Sequence, residues 1–281
     1  MRFLALLAAV AIMTTQPTMT HPHEQKRSAY LGFDRNEYPG DDNLGALRKS
    51  FVFTGYWLNA PPGDAQTTWS GKRQLLEDAG FGFAILFNGR LYHELQGKNP
   101  AAIGRGDGAA AVSTAKREGF PSHAVIFLDQ EEGGRLLPEQ KAYLFAWADA
   151  VEAGGFLAGV YCSGIEFVED NGARVITARD IRENAGGRAI AFWVSNDACP
   201  PAPGCTFAPA PRPLASGVSF AEVWQFAQSP RRPDQTVRCA RTYAPDGNCY
   251  PPDIASESGL HIDVSSANSA DPSHGRRQSP R

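Results

Sequence analysis

Short apolar runs alternate along the chain with amphipathic stretches. Eight runs read as strands: Tyr30–Asp34, Phe51–Trp57, Phe81–Phe87, Ala124–Asp129, Leu157–Cys162, Ala189–Val194, Glu222–Phe226 and Leu260–Val264. Most are apolar nearly throughout, as strands buried on both faces should be. Helix signals lie between the early strands. Ser70 is placed to cap a helix with Leu75, Leu76 and Ala79 inward, ending at Gly80. Asp107 is placed to cap Gly108–Glu118, which Gly119 and Pro121 stop. Pro138 opens a longer helix through Tyr143, Trp147 and Val151, stopped at Gly154-Gly155. Another covers Thr177–Asn184, and a short one is possible over Asp41–Lys49. Strand-helix alternation predicts a parallel sheet covered by helices.

The last third differs. Six Pro between Pro200 and Pro213 exclude a helix there, and Ser229–Glu257 reads as loop. The expected fold class is therefore α/β: a TIM-type (β/α) barrel whose last strands are joined by loops rather than helices. One domain over residues 28–268 has roughly the ~250 residues such a barrel needs. Residues 269–281 read as a disordered tail.

The two ends and the cysteines bear on location. Met1-Arg2 and the apolar run Phe3–Met13 read as a signal peptide over residues 1–20, too short to span a bilayer comfortably. The chain is thus expected to be exported, periplasmic or secreted, without a stable membrane anchor. Of the five Cys, Cys199 with Cys205 and Cys239 with Cys249 could each staple a local loop. Cys162, inside an apolar run, reads as a buried free thiol.

Composition narrows the function. Lys+Arg 27 against Asp+Glu 30 gives a net charge of −3, which lacks the basic excess of a bulk nucleic-acid binder. Neither the Cys pairs nor His93, His123 and His261 show metal-ligand spacing, so no metal or cofactor is expected. Ser163 in Tyr161-Cys162-Ser163-Gly164 is not a nucleophile elbow.

Acids do stand where barrel chemistry is done. Asp34 ends the first strand, Asp129 and Glu131 end the fourth, and Asp263 lies near the end of the eighth. Residues i and i+2 of a strand share a face, so Asp129 and Glu131 are expected to face the barrel mouth while Gln130 faces away. Two close carboxylates resist ionising together, so one can stay protonated as an acid. That is the equipment of glycoside hydrolysis. Trp193 and Trp224 are candidates for stacking on sugar rings or for the core, and Tyr56 and Trp57 for closing the groove or packing under a helix.

Several short motifs, in order, carry a family resemblance: Gly32-Phe33-Asp34, Gly55-Tyr56, Asp107-Gly108, Gly119-Phe120-Pro121, Ile126-Phe127-Leu128-Asp129-Gln130-Glu131, Gly159-Val160-Tyr161, Phe192-Trp193 and Trp224-Gln225. The chain resembles the glycoside-hydrolase-like TIM-barrel family known as domain of unknown function 1906, related to the lysozyme-like family 25 of glycoside hydrolases. The resemblance covers about Tyr30 to Ser266. It implies that Glu131 is the general acid and that Asp129 assists attack by water or a neighbouring group. It also implies that Asp34 and Asp263 hold substrate, and that Tyr161, Trp193 and Gln225 line a sugar groove. The eighth strand reads Asp263-Val264-Ser265 where those lysozymes carry Asp-x-Asn. The expectation is an exported, monomeric glycosidase acting on cell-wall or related polysaccharide, peptidoglycan favoured. The alternative is a glycan-binding barrel with the same acidic cleft and no turnover.

Overall fold

A computed structural model describes residues 29–277. The expected signal peptide and residues 278–281 lie outside the described residues. Ten strands and six α-helices follow one another as β1 (Tyr30–Asp34), α1 (Leu44–Ser50), β2 (Phe53–Trp57), α2 (Arg73–Asp78), β3 (Gly82–Asn88), α3 (Tyr92–Leu95), α4 (Pro100–Glu118), β4 (Val125–Asp129), α5 (Pro138–Ala153), β5 (Leu157–Ser163), β6 (Glu166–Val168), β7 (Arg174–Ile176), α6 (Thr177–Asn184), β8 (Ala191–Ser195), β9 (Val223–Ala227) and β10 (Asp263–Ala267).

Eight strands close a barrel in the order β1-β10-β9-β8-β5-β4-β3-β2. All neighbours pair in parallel except β10, which runs antiparallel to both β1 and β9. The α/β barrel is as expected, with no helix joining β8 to β9 or β9 to β10 beyond single 3-10 turns. The last strand corrects the parallel expectation. It starts at Asp263, rather than ending near it, and the reversal returns Asp263 to the mouth opposite Asp34. β6 and β7 form a separate hairpin, for which Asn171-Gly172 is the sequence signal.

The inward residues are chosen for fit. A Cβ on Gly159 would lie 2.5 Å from the Phe127 ring, and one on Gly55 would lie 2.6 Å from Cβ of Asp34. Gly159 makes room for the aromatic floor, and Gly55 makes room for an acid in the wall. Phe127 meets Trp193 edge-on at 5.8 Å, and Trp193 meets Tyr161 at 5.4 Å. These rings close the barrel interior beneath the mouth.

Helix α4 begins seven residues before its expected cap at Asp107. Asn99 caps it, its side chain accepting from the Ala102 N–H at 3.1 Å, with Pro100 in the first turn. Gly104 and Gly108 lie inside the helix because α5 crosses there; a Cβ on Gly104 would come within 2.2 Å of the Tyr143 carbonyl. Asp107 faces outward from the cap role and holds Arg90 through two hydrogen bonds, 2.8 and 3.1 Å.

The disulfides are Cys199–Cys239 and Cys205–Cys249, with Cα atoms 5.7 and 5.6 Å apart. They do not close local loops. Each ties the β8–β9 connection to the β9–β10 connection, fastening together two long segments without helices. Cys162 is free and buried, as expected.

Residues 269–277, expected as tail, are packed across the N-terminal ends of β3 and β4. Asp271 accepts from the Phe83 N–H at 2.8 Å, and Ser273 accepts from the N–H groups of Ile85 and Val125, each at 2.8 Å. Gly275 O accepts from the buried Arg73 guanidinium at 2.8 Å. Polar residues are held here because strand ends offer unpaired N–H groups, whose burial without partners is costly. A chain ended at Ser269 should therefore lose about 1–3 kcal/mol for each donor left buried and unpaired. A lower denaturant midpoint with an unchanged fold is the expected result. An unchanged midpoint would show that these contacts contribute nothing.

Candidate active site

All seven residues singled out in the sequence line one cleft of about 220 Å³ at the C-terminal ends of the parallel strands: Asp34, Asp129, Glu131, Tyr161, Trp193, Gln225 and Asp263. Each arrives on a different strand end, apart from Asp129 and Glu131. Strand alternation turns Asp129 inward, and the chain leaves β4 before carrying Glu131 to the rim. Gln130 between them is buried, its amide donating to the Glu132 carbonyl at 3.3 Å.

Gln225 organises the floor. Its amide nitrogen donates to Asp34 at 3.0 Å and to Asp263 at 3.3 Å. Its oxygen accepts from the Tyr161 hydroxyl at 2.7 Å and from Gln228 at 2.9 Å. One side chain thus orients two acids and a tyrosine. The Ser229 N–H holds the other oxygen of Asp263 at 2.6 Å.

No N–H or O–H from another residue reaches the buried oxygens of Asp129, and one oxygen of Asp34 is likewise unpartnered. The neighbouring acid is Glu131, close enough to act on Asp129. Burial first, and then the Glu131 and Asp34 carboxyls, hold Asp129 well above the ordinary carboxylate range. Glu131 opens on solvent, yet protein crowded about the mouth removes part of its water and raises it too, which Asp129 and the Arg232 charge oppose. Burial is also the main cause that lifts Asp34 to about 7 and Asp263 well above its usual value. The cleft therefore stores protons near neutrality, the expected consequence of gathering acids out of water.

Trp193 departs from its expected role. Its ring is fully buried, so it is cleft floor and offers no open face to a sugar. Trp224 is core, its indole N–H donating to the Asn196 carbonyl at 2.8 Å. Tyr56 and Trp57, adjacent on β2, face opposite ways. Tyr56 packs outside and bonds Glu118, whereas Trp57 lines the cleft. Sequence reasoning passed over Asn36 and Gln228. Both lie beyond strand ends, where no periodicity marks direction.

Two further hollows share lining residues with the cleft. Beyond Glu131 a hollow of about 560 Å³ is bordered by Asn59, Pro62, Asn88, Arg90 and Glu94. On the other side, Asp34 and Asp263 also border a hollow of about 410 Å³ with Arg35, Asp64 and His261. Among the described residues no His/Cys/Asp/Glu group has the arrangement of a metal site.

The barrel has counterparts among known proteins. Residues 61–176 match the family model of the Rv2525c-like, glycoside hydrolase-like domain. The resemblance read from the sequence is borne out, and the glycoside hydrolase-like segment includes Asp129 and Glu131. Solved structures of similar fold include an uncharacterized B. stearothermophilus protein, 19% identical over 85% of this chain and 95% of that one, TM-score 0.54. The Mycobacterium tuberculosis Tat-secreted protein Rv2525c, in complex with HEPES, is 14% identical over 89% and 98%, TM-score 0.51. The catalytic domain of endolysin ply40 from bacteriophage P40 of Listeria monocytogenes is 14% identical over 85% and 93%, TM-score 0.50. At these identities the likeness is one of fold. No curated protein matches the chain.

Asp34 gives the cleft a pH signature. Its folded-state value of about 7 stands above the ordinary 3.8, so between these values the folded chain binds the extra proton. The stability of the neutral form is complete below about pH 4 and is lost as pH rises toward 7. Asp34→Asn keeps an acceptor for Gln225 and removes that loss. It should raise stability by up to a few kcal/mol at neutral pH, with the gain shrinking toward pH 4. Denaturant unfolding at both pH values checks this; an equal effect at both would contradict a raised Asp34.

Proposed function

We propose that this protein is an exported glycoside hydrolase that cleaves cell-wall polysaccharide, muramidase-like, with peptidoglycan the favoured substrate. The observation that carries the proposal is the Asp129–Glu131 pair, a buried carboxyl and an exposed one lining the same cleft, within the segment that matches a glycoside hydrolase-like domain. Glycosidic cleavage needs a proton for the leaving oxygen and a carboxylate to support the reacting centre. Burial favours the proton on Asp129. Its transfer to Glu131 arms the member that reaches substrate as general acid. Asp129, then ionised, supports the sugar centre or orients the attacking group. Gln225 holds Asp34 and Asp263 to receive sugar hydroxyls.

Two further features support a glycan ligand. The hollows on either side of the cleft suit a polymer rather than a single sugar. The carboxyl and amide groups that line the cleft suit a ligand rich in hydroxyl and acetamido groups. Export is supported by the two disulfides, which persist in oxidising compartments, and by the apolar N-terminal run. The Rv2525c neighbour is described as Tat-secreted. We place the signal peptide at 1–20 and the barrel domain at 28–268, extended by the packed residues 269–277, and the protein acts as a monomer.

Digestion of purified peptidoglycan tests this. Wild type should release new reducing ends with muropeptide masses. Glu131→Gln and Asp129→Asn should each lower the rate by about 10²-fold or more. Binding to the polymer without turnover would select the non-catalytic glycan-binding barrel, and neither binding nor turnover would reject both readings.

A further inference from the structure

Glu131, the exposed acid on which the proposed reaction turns, is fixed by no hydrogen bond to a neighbouring element. What fixes it is the loop that carries it, and the side chain next in sequence anchors that loop. One carboxyl oxygen of Glu132 accepts from the Tyr92 N–H at 2.7 Å and from the Gln140 amide at 2.7 Å. Tyr92 opens α3 and Gln140 lies in the first turn of α5. Gln140 is itself locked, its oxygen accepting from the Leu137 N–H at 2.8 Å. Glu132 therefore ties the β4–α5 loop backward to its own helix and sideways to the β3–α3 loop. Because consecutive side chains diverge, holding Glu132 behind the loop turns Glu131 toward the cleft.

The remaining anchors lie farther along. The Gly134 N–H donates to Thr177 at 2.8 Å and the Leu136 N–H to Asp180 at 3.0 Å, both on α6. They fix the far end of the loop, while on the other side of Glu131 the Gln130 N–H donates to the Tyr161 carbonyl at 2.9 Å, so that Glu132 is the side-chain anchor nearest Glu131 on the loop side. Glu132 follows the Asp-x-Glu pair directly in the chain, and neither the glycosidase chemistry nor the cleft lining gives it a part.

We propose that Glu132 is a positioning residue for Glu131: it sets the reach of the acid to the leaving oxygen without touching substrate. The proposal rests on the glycosidase reading above. Displacing a reacting group by about 1 Å can cost about 10²-fold in rate, so the anchor should act on kcat and leave substrate affinity alone.

The test compares full-length wild type with Glu132→Ala, Glu132→Gln and, as a control in the same loop, Arg135→Ala. Glu132→Ala should speed amide exchange at Tyr92 and around residues 130–134. It should lower kcat on peptidoglycan by about 10²-fold and leave KM nearly unchanged. Glu132→Gln keeps one acceptor and should recover part of the loss, while Arg135→Ala should match wild type. A wild-type kcat in folded Glu132→Ala would overturn the proposal, as would KM rising while kcat holds. An inert wild type would remove the reaction and this inference together, whereas an active wild type with an equally active Glu132→Ala removes the inference alone.

Discussion

Everything at the barrel mouth depends on one costly arrangement: the carboxyl of Asp129, fully buried at the end of β4, with no hydrogen-bond donor among the described residues and with Glu131 and Asp34 beside it. An ionised carboxylate there would be out of water and beside other acids, so the site favours its protonated form. The rest of the site can be understood as what permits that burial. Gly55 admits Asp34 to the wall, Gly159 admits the Phe127 ring below, and Gln225 donates to Asp34 and Asp263 so that acceptors do not face one another undivided. Stability given up in this way is typical where a fold gathers groups for chemistry.

The scaffold around the cleft is divided by task. Strands β1 to β5 and β8, with their helices, form the rigid wall that aims the acids. The β8–β9 and β9–β10 connections carry no α-helix, and the two disulfides that join them do what a helix would otherwise do. From these connections Ser229 holds Asp263. Arg232, paired with the buried Asp197 through its Nε at 3.1 Å, brings a cation close enough to act on Glu131. The acids thus face a framework fastened from both sides of the barrel.

Much of this was legible because strands buried on both faces leave continuous apolar runs, and because Asp129 and Glu131 follow such a run with the spacing of a shared face. The parts that were not legible have physical reasons. Direction is not written in a strand's own residues, so β10 read as parallel; the lack of any helix between β9 and β10 was the available hint. Disulfide pairing depends on two distant loops meeting, and the local spacing of Cys199 with Cys205 carried no trace of it. Gly104 lies before the cap expected at Asp107, yet it and Gly108 are where α5 presses on α4. Residues 271–275 are polar and look unstructured, since they are held by hydrogen bonds to strand ends and bury little apolar surface. Trp193 looked like a sugar plate because sequence gives its strand but not its depth.

The raised carboxyl of Asp129 is the feature most open to direct measurement. Carbon-13 carboxyl NMR across pH, on wild type and Asp129→Asn, would follow it without any assumption about substrate. One aspartate should remain protonated through neutral pH, its signal absent in Asp129→Asn, with Glu131 titrating above the ordinary glutamate value in the wild type. If every carboxyl in the cleft were ionised by about pH 5, as exposed acids are, the cleft would hold no proton to donate and the account would fail.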